Sequence, residues 1–253
     1  MIYAATSVWL TLIVLMAWSV HRLWQGIVKS RTVNGVLLPG TLIAQLGHVI
    51  GLLITGATVN NTALVGDNDR GEPSTQPGFK PKIPFVGPIV VALLPMLALG
   101  GAIFLLVVRL GRPVIVQLPM DALSTELPVT MGAFWDQLRA LVTLAEETLA
   151  AASSTGVTSW KTGLFIYLMT CFTVRMAPIP GNVRGHVGAI AAVGSIAALS
   201  ATLSPKPFNI IQEAWPIMSL TMGWLLLLML LSLVARGAVE TVQMIGRSAG
   251  TYD

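Results

Sequence analysis

Two stretches of this chain carry polar side chains at spacings that suit chemistry. Gln45 and His48 stand three residues apart inside the apolar run 36–57. Three residues apart on a helix is one face. A neutral imidazole there either hydrogen-bonds Gln45 or a neighbouring helix, or ligates a metal or a cofactor such as a haem or a chlorin. The second stretch is Ala177-Pro-Ile-Pro-Gly-Asn-Val-Arg-Gly-His186, which follows Arg175. It reads either as a polar loop after a Pro-Ile-Pro turn or as a re-entrant segment lining a site. His186 is the second candidate cofactor ligand beside His48. Arg175 is expected to snorkel to the interface or to pair with an acid. The three histidines are His21, His48 and His186, and His21 closes the first apolar run, too near the interface to partner His48 easily. Cys171 is the single cysteine, so an internal disulfide is excluded. Asp67, Asp69 and Glu72 lack the remaining positions of a calcium loop.

The elements that hold these residues belong to a membrane protein. Of 253 residues, 54% are hydrophobic and only 10% are charged. A soluble domain carries about 25% charged residues, so a soluble enzyme, a disordered tail and a nucleic-acid binder are excluded. The excess of basic residues, net +4, suits the fixing of topology. A helix needs about 20 mostly apolar residues to cross a bilayer. The runs 3–20, 36–57, 84–108, 162–179, 187–203 and 215–235 qualify, the fifth most weakly. The expected fold is therefore all-α, one integral membrane domain over 1–253 with about six transmembrane helices. Basic residues Arg22, Lys29 and Arg31 follow the first run, which places 21–35 in the cytoplasm. Strict alternation then puts Arg236 outside.

Two polar excursions, 58–83 and 109–161, read as loops. The first is full of turn chemistry, including Asn60-Asn61 and Asp69-Arg70-Gly71. In the second, 133–152 has helical apolar spacing at Phe134, Leu138, Leu141, Ala145 and Leu149. This amphipathic helix is expected on the membrane surface or, given its acidic polar face, against a partner protein. Trp24, Trp135, Trp160, Tyr167 and Trp215 lie near span ends and suit an interfacial aromatic belt.

The segment Gly40-Thr-Leu-Ile-Ala-Gln-Leu-Gly-His-Val-Ile-Gly-Leu-Leu-Ile-Thr-Gly56 resembles the zinc-binding helix of site-2-protease-type intramembrane metalloproteases. In that family His-Glu-x-x-His sets two zinc ligands on one helix face, with the Glu as general base. The five positions here read Ala44, Gln45, Leu46, Gly47, His48. Further on, Lys80-Pro-Lys-Ile-Pro-Phe-Val-Gly-Pro88 is similar to the family's Pro-rich approach to the next span. The 178–185 segment matches the turn carrying the family's third ligand, an Asp, at Asn182. The resemblance covers roughly residues 36–190.

Under that resemblance the degenerate site is Ala44, Gln45, His48 and Asn182. Ala44 offers no ligand atom, and Gln45 cannot take a proton from water as a carboxylate does. The resemblance therefore implies a retained fold without protease activity, with no catalytic residue, no metal ligand set and zinc binding not expected. The expected function is a scaffold or assembly subunit of a larger membrane complex, contacting the bilayer and other membrane subunits but no nucleic acid. The expected location is a bacterial cytoplasmic (inner) membrane. Alternatives are a haem- or chlorophyll-type cofactor subunit using His48, a transporter, and an active protease with different ligands.

Overall fold

A computed structural model describes residues 2–63, 74–77, 86–115, 127–128, 130–154, 159–178, 183–203 and 205–249. Helices dominate: α1 (Ile2–Ile27), α2 (Ser30–Val36), α3 (Leu38–Ile54), α4 (Val86–Leu110), α5 (Arg112–Ile115), α6 (Met131–Ser154), α7 (Trp160–Val174), α8 (Val183–Leu203) and α9 (Pro205–Ala249). Among the described residues the protein is all-α apart from one ribbon. Strands β1 (Val59–Ala63) and β2 (Ser74–Pro77) pair antiparallel within the stretch read as a loop from sequence. Its turn-rich composition is that of a hairpin connection as much as of a loop.

Among the described residues, three helices are long and apolar enough to cross a membrane: Tyr3–Ile27, Val86–Leu110 and Gln212–Met244. The chain is thus a membrane protein. The expected second span is instead a broken one: α2 and α3 meet at a 78° bend. Pro39 sits in the first turn of α3, where its missing N–H is harmless to that helix but breaks the ladder from α2. Hydropathy runs unbroken through this bend, so it was invisible to span counting. The far end of α3 is closed by Gly56, whose φ of 75° suits glycine. Ala57 N–H bonds Leu52 C=O and Gly56 N–H bonds Leu53 C=O, which satisfies the last carbonyls of the helix.

Two hydrogen bonds fix the direction of α9 against α1. Trp9 Nε1 donates to the Met218 carbonyl and Trp24 Nε1 to Ser232 Oγ, across sequence separations of 209 and 208. Nearly equal separations mean that the two helices run parallel. Six alternating crossings would make the first and last antiparallel, so the sequence expectation does not hold for this pair. It also follows that Arg22 and Arg236 lie at the same end, not on opposite sides. A Cβ on Gly26 of α1 would stand 3.8 Å from Arg236 Nη1.

The other helix boundaries shift from the expected ones. The weak run 187–203 begins earlier, at Val183, so His186 is helical rather than in a loop. The run 215–235 is the middle of the 45-residue α9. At 1.5 Å per residue α9 is about 68 Å long, roughly twice the hydrocarbon core. One crossing therefore does not use the whole of α9. The amphipathic helix α6 has its partner inside the chain. Leu141, Leu144 and Ala151 are buried in the same cluster as Trp215, Trp224 and Leu225. A second apolar stripe on α6, Met131, Trp135, Val142 and Leu149, stays exposed.

The main core joins α1, α3, α4, α6, α7 and α9. Trp9 is at its centre, with ring centroids 5.1 Å from Trp215 and 5.9 Å from Phe134. Trp215, expected in an interfacial belt, is 0% exposed. Hydropathy does not distinguish a lipid-facing tryptophan from a core one. Trp135 and Trp160 are exposed, as a belt requires.

Candidate functional site

The candidate site is built where α3 crosses α4. Small residues Gly40, Ala44, Gly47 and Gly51 recur along α3 at helical spacing, a pattern that lets backbones approach. A Cβ on Gly47 would lie 2.8 Å from both the Leu94 carbonyl oxygen and Pro95 Cα. A Cβ on Gly51 would lie 3.0 Å from Val91 Cα. Positions 47 and 51 thus face 95 and 91, so α3 and α4 run antiparallel in backbone contact. Gly40 meets α7 in the same way, against the Cys171 carbonyl.

His48 follows Gly47 into this contact. Its ring lies beside the Val91 backbone. Pro95 lies inside α4 and has no N–H to give the carbonyl four residues back. That carbonyl belongs to Val91, the backbone that the imidazole lies beside. The ring's Nδ1 is buried without a hydrogen-bond partner among the described residues. Gln45 and Ala44 are buried beside it on α3, Gln45 at 4% exposed.

The structure brings His186 to His48. His186, on the first turn of α8, is 4% exposed and near enough to interact electrostatically with His48. The helices make this possible because α8 packs on α4 through Gly188, where a Cβ would stand 2.7 Å from Ile89 Cγ1. Asn182 lies outside the described residues. Of the sequence-derived site residues, Ala44, Gln45 and His48 share α3, and His186 joins them from a segment 138 residues later.

Chemically, the pair supplies two imidazoles. A catalytic zinc site takes three protein ligands and an open position. Among the described residues no group of three or more His, Cys, Asp or Glu side chains could hold a metal ion. An apolar cavity of about 510 Å³ lies between α1, α4, α8 and α9, lined by Leu10, Met96, Gly100, Val193 and Ile217 among others; His48 and His186 are not in its wall.

A second polar cluster was not anticipated. Arg175 caps α7, and its Nη2 donates to Asn34 Oδ1 at 2.8 Å. His21 Nε2 lies 3.4 Å from the same oxygen. Asn34 is 1% exposed. Arg175 thus takes a neutral amide where an acid or the interface was expected. Tyr167 OH donates to the Val36 carbonyl at 2.9 Å, and Cys171 Sγ to the same oxygen at 3.5 Å. The α2–α3 bend turns that carbonyl toward α7. The one hint in sequence was a cation in a strongly apolar span with no acid on that span, which calls for a neutral acceptor elsewhere. Periodicity says nothing about which asparagine supplies it.

No protein-family model, no curated protein and no solved structure is significantly similar to this chain.

Proposed function

We propose that this chain is a non-catalytic integral membrane subunit, a scaffold or assembly component of a larger membrane complex, on a decayed site-2-protease-like fold. The observation that carries it is the burial of Ala44 and Gln45 on α3 beside His48, with His186 near enough to act on His48 electrostatically. On the resemblance, Ala44 stands at the first ligand position and Gln45 at the base position, groups that cannot serve in those roles. Gln for Glu, and Asn182 for Asp, keep size and hydrogen-bonding capacity while removing charge. A neutral pocket stays packed at membrane depth without a metal, whereas uncompensated carboxylates there are costly.

The crossing pattern belongs to the same reading. Three full crossings, α1, α4 and α9, in alternation make α1 and α9 parallel, as their hydrogen bonds require. The shorter α3, α7 and α8 fill the space between them. The bacterial cytoplasmic membrane is the proposed location. The exposed apolar stripe of α6 and the exposed last turns of α9 offer surfaces for other subunits.

Extraction in a mild detergent, followed by affinity purification, tests the assembly role. The expected outcome is one or more membrane proteins in fixed ratio to this chain. A strictly monomeric species with no companion contradicts it.

A cofactor-holding role is the second reading, favoured by the buried Nδ1 of His48 that has no hydrogen-bond partner among the described residues. An axial ligand would use that nitrogen. A visible absorption band in the purified complex, lost on His48→Ala, supports this role, and a featureless visible spectrum removes it.

A further inference from the structure

The parallel packing of α1 and α9 leaves a groove at their shared basic end. It has a volume of about 480 Å³ and is lined by Trp18, Ser19, Arg22, Leu23, Met229, Leu233 and Arg236. We propose that this groove binds an anionic phospholipid, its phosphate between Arg22 and Arg236 and an acyl chain along Leu23, Met229 and Leu233. The inference rests on the membrane habitat alone, and not on the altered metalloprotease site.

Charge complementarity identifies the occupant. Two guanidinium groups wall one shallow groove and repel each other. Arg236 Nε is held by Glu240 Oε1 at 2.7 Å, an exposed pair that leaves its terminal nitrogens free to bind. Arg22 stacks on Trp18 at 5.4 Å and forms no ion pair among the described residues. Glu240 therefore offsets one of the two charges. Lys29 and Arg31 follow on the chain with no acid in 21–35. Guanidinium nitrogens match phosphate oxygens in pairs, and basic pockets between membrane helices on the cytoplasmic side suit anionic headgroups. Below the two cations the lining turns apolar, which a free phosphate ion would not use. Trp18 is half exposed, at the depth where aromatic rings meet headgroups.

The test is lipid retention by the full-length protein. The chain is reconstituted in nanodiscs holding equal amounts of phosphatidylglycerol, phosphatidylethanolamine and phosphatidylcholine, released, and weighed by native mass spectrometry. The wild type is expected to retain phosphatidylglycerol with roughly tenfold preference over phosphatidylcholine. The Arg22→Gln/Arg236→Gln variant should lose that preference while keeping the circular dichroism of the wild type. Glu240→Gln breaks the ion pair but keeps both cations, and should retain the preference or strengthen it. Should the double variant misfold, Arg22→Gln alone is expected to lower the preference severalfold. An unchanged preference in the double variant, or no preference in the wild type, overturns the proposal. Inorganic phosphate that displaces phosphatidylglycerol at equal concentration would assign the site to free phosphate instead and overturn the lipid claim.

Discussion

Replacing Gly47 with leucine is expected to cost at least about 3 kcal/mol of stability and to separate α3 from α4. A first carbon at this position already meets backbone: the Leu94 carbonyl and the Pro95 ring lie 2.8 to 2.9 Å away. Backbone cannot swing aside as a side-chain end can. In lipid the loss is felt fully, because helix association there depends on close packing rather than on removal of apolar surface from water. Gly47→Ala should show the same sign at about 1–3 kcal/mol. The matched control is Gly100→Ala, whose new carbon meets nothing within 4 Å and should leave stability unchanged or slightly raised. Unfolding of the purified protein in a detergent titration measures all three. A Gly47→Leu protein as stable as the wild type would mean that α3 and α4 do not touch here. His48 would then lose its place beside Val91.

Trp9→Ala is the second large effect, about 3 kcal/mol. Trp9 is fully buried, edge-on to Phe134 and tilted against Trp215. For a soluble core this truncation costs about 3–5 kcal/mol. In a bilayer the transfer part shrinks, since lipid tails are as apolar as the core. The cavity part, at about 24 cal/mol per Å³, remains, together with about 1 kcal/mol for the bond from Nε1 to Met218. Trp9→Phe keeps most of the ring and should lose only about 1 kcal/mol. The loss should also detach α6 from the bundle, since Phe134 has its ring against Trp9. Protease accessibility of the connections flanking α6, compared between wild type and Trp9→Ala, reports that release. Equal cleavage rates and equal stability would contradict the central place given to Trp9.

Much of the fold was legible because long apolar runs leave few choices. The run 84–108 became α4 (Val86–Leu110) with a two-residue shift. Helix existence follows from backbone satisfaction in lipid. Direction does not: the parallel course of α1 and α9 is set by Trp9, Trp24 and Ser232, whose partners lie over 200 residues away. The break at Pro39 was hidden because hydropathy averages over it. The α6 face was legible, but its partner was not, since an apolar stripe specifies a contact without naming the surface. At the site, His48 was visible as a lone imidazole in an apolar span. Its surroundings were not, because they are set by α4, where Val91 lies beside the ring and Pro95 leaves a carbonyl without its helical partner. His186 stands out in sequence as a polar residue but not as a helical one, because its Gly- and Ala-rich helix is only weakly hydrophobic. The Asn34–Arg175 contact joins segments 141 residues apart, beyond the reach of any local pattern.

Elemental analysis of the purified chain bears most directly on a metal-free, non-catalytic site at His48. Protein extracted without chelator and exchanged into metal-free buffer should carry zinc well below one ion per chain. The same preparation of Ala44→His/Gln45→Glu/Asn182→Asp, which rebuilds two ligands and the base, should gain zinc toward one. One zinc per chain in the wild type, lost on His48→Ala, would contradict the reading and restore an active metal centre in its place.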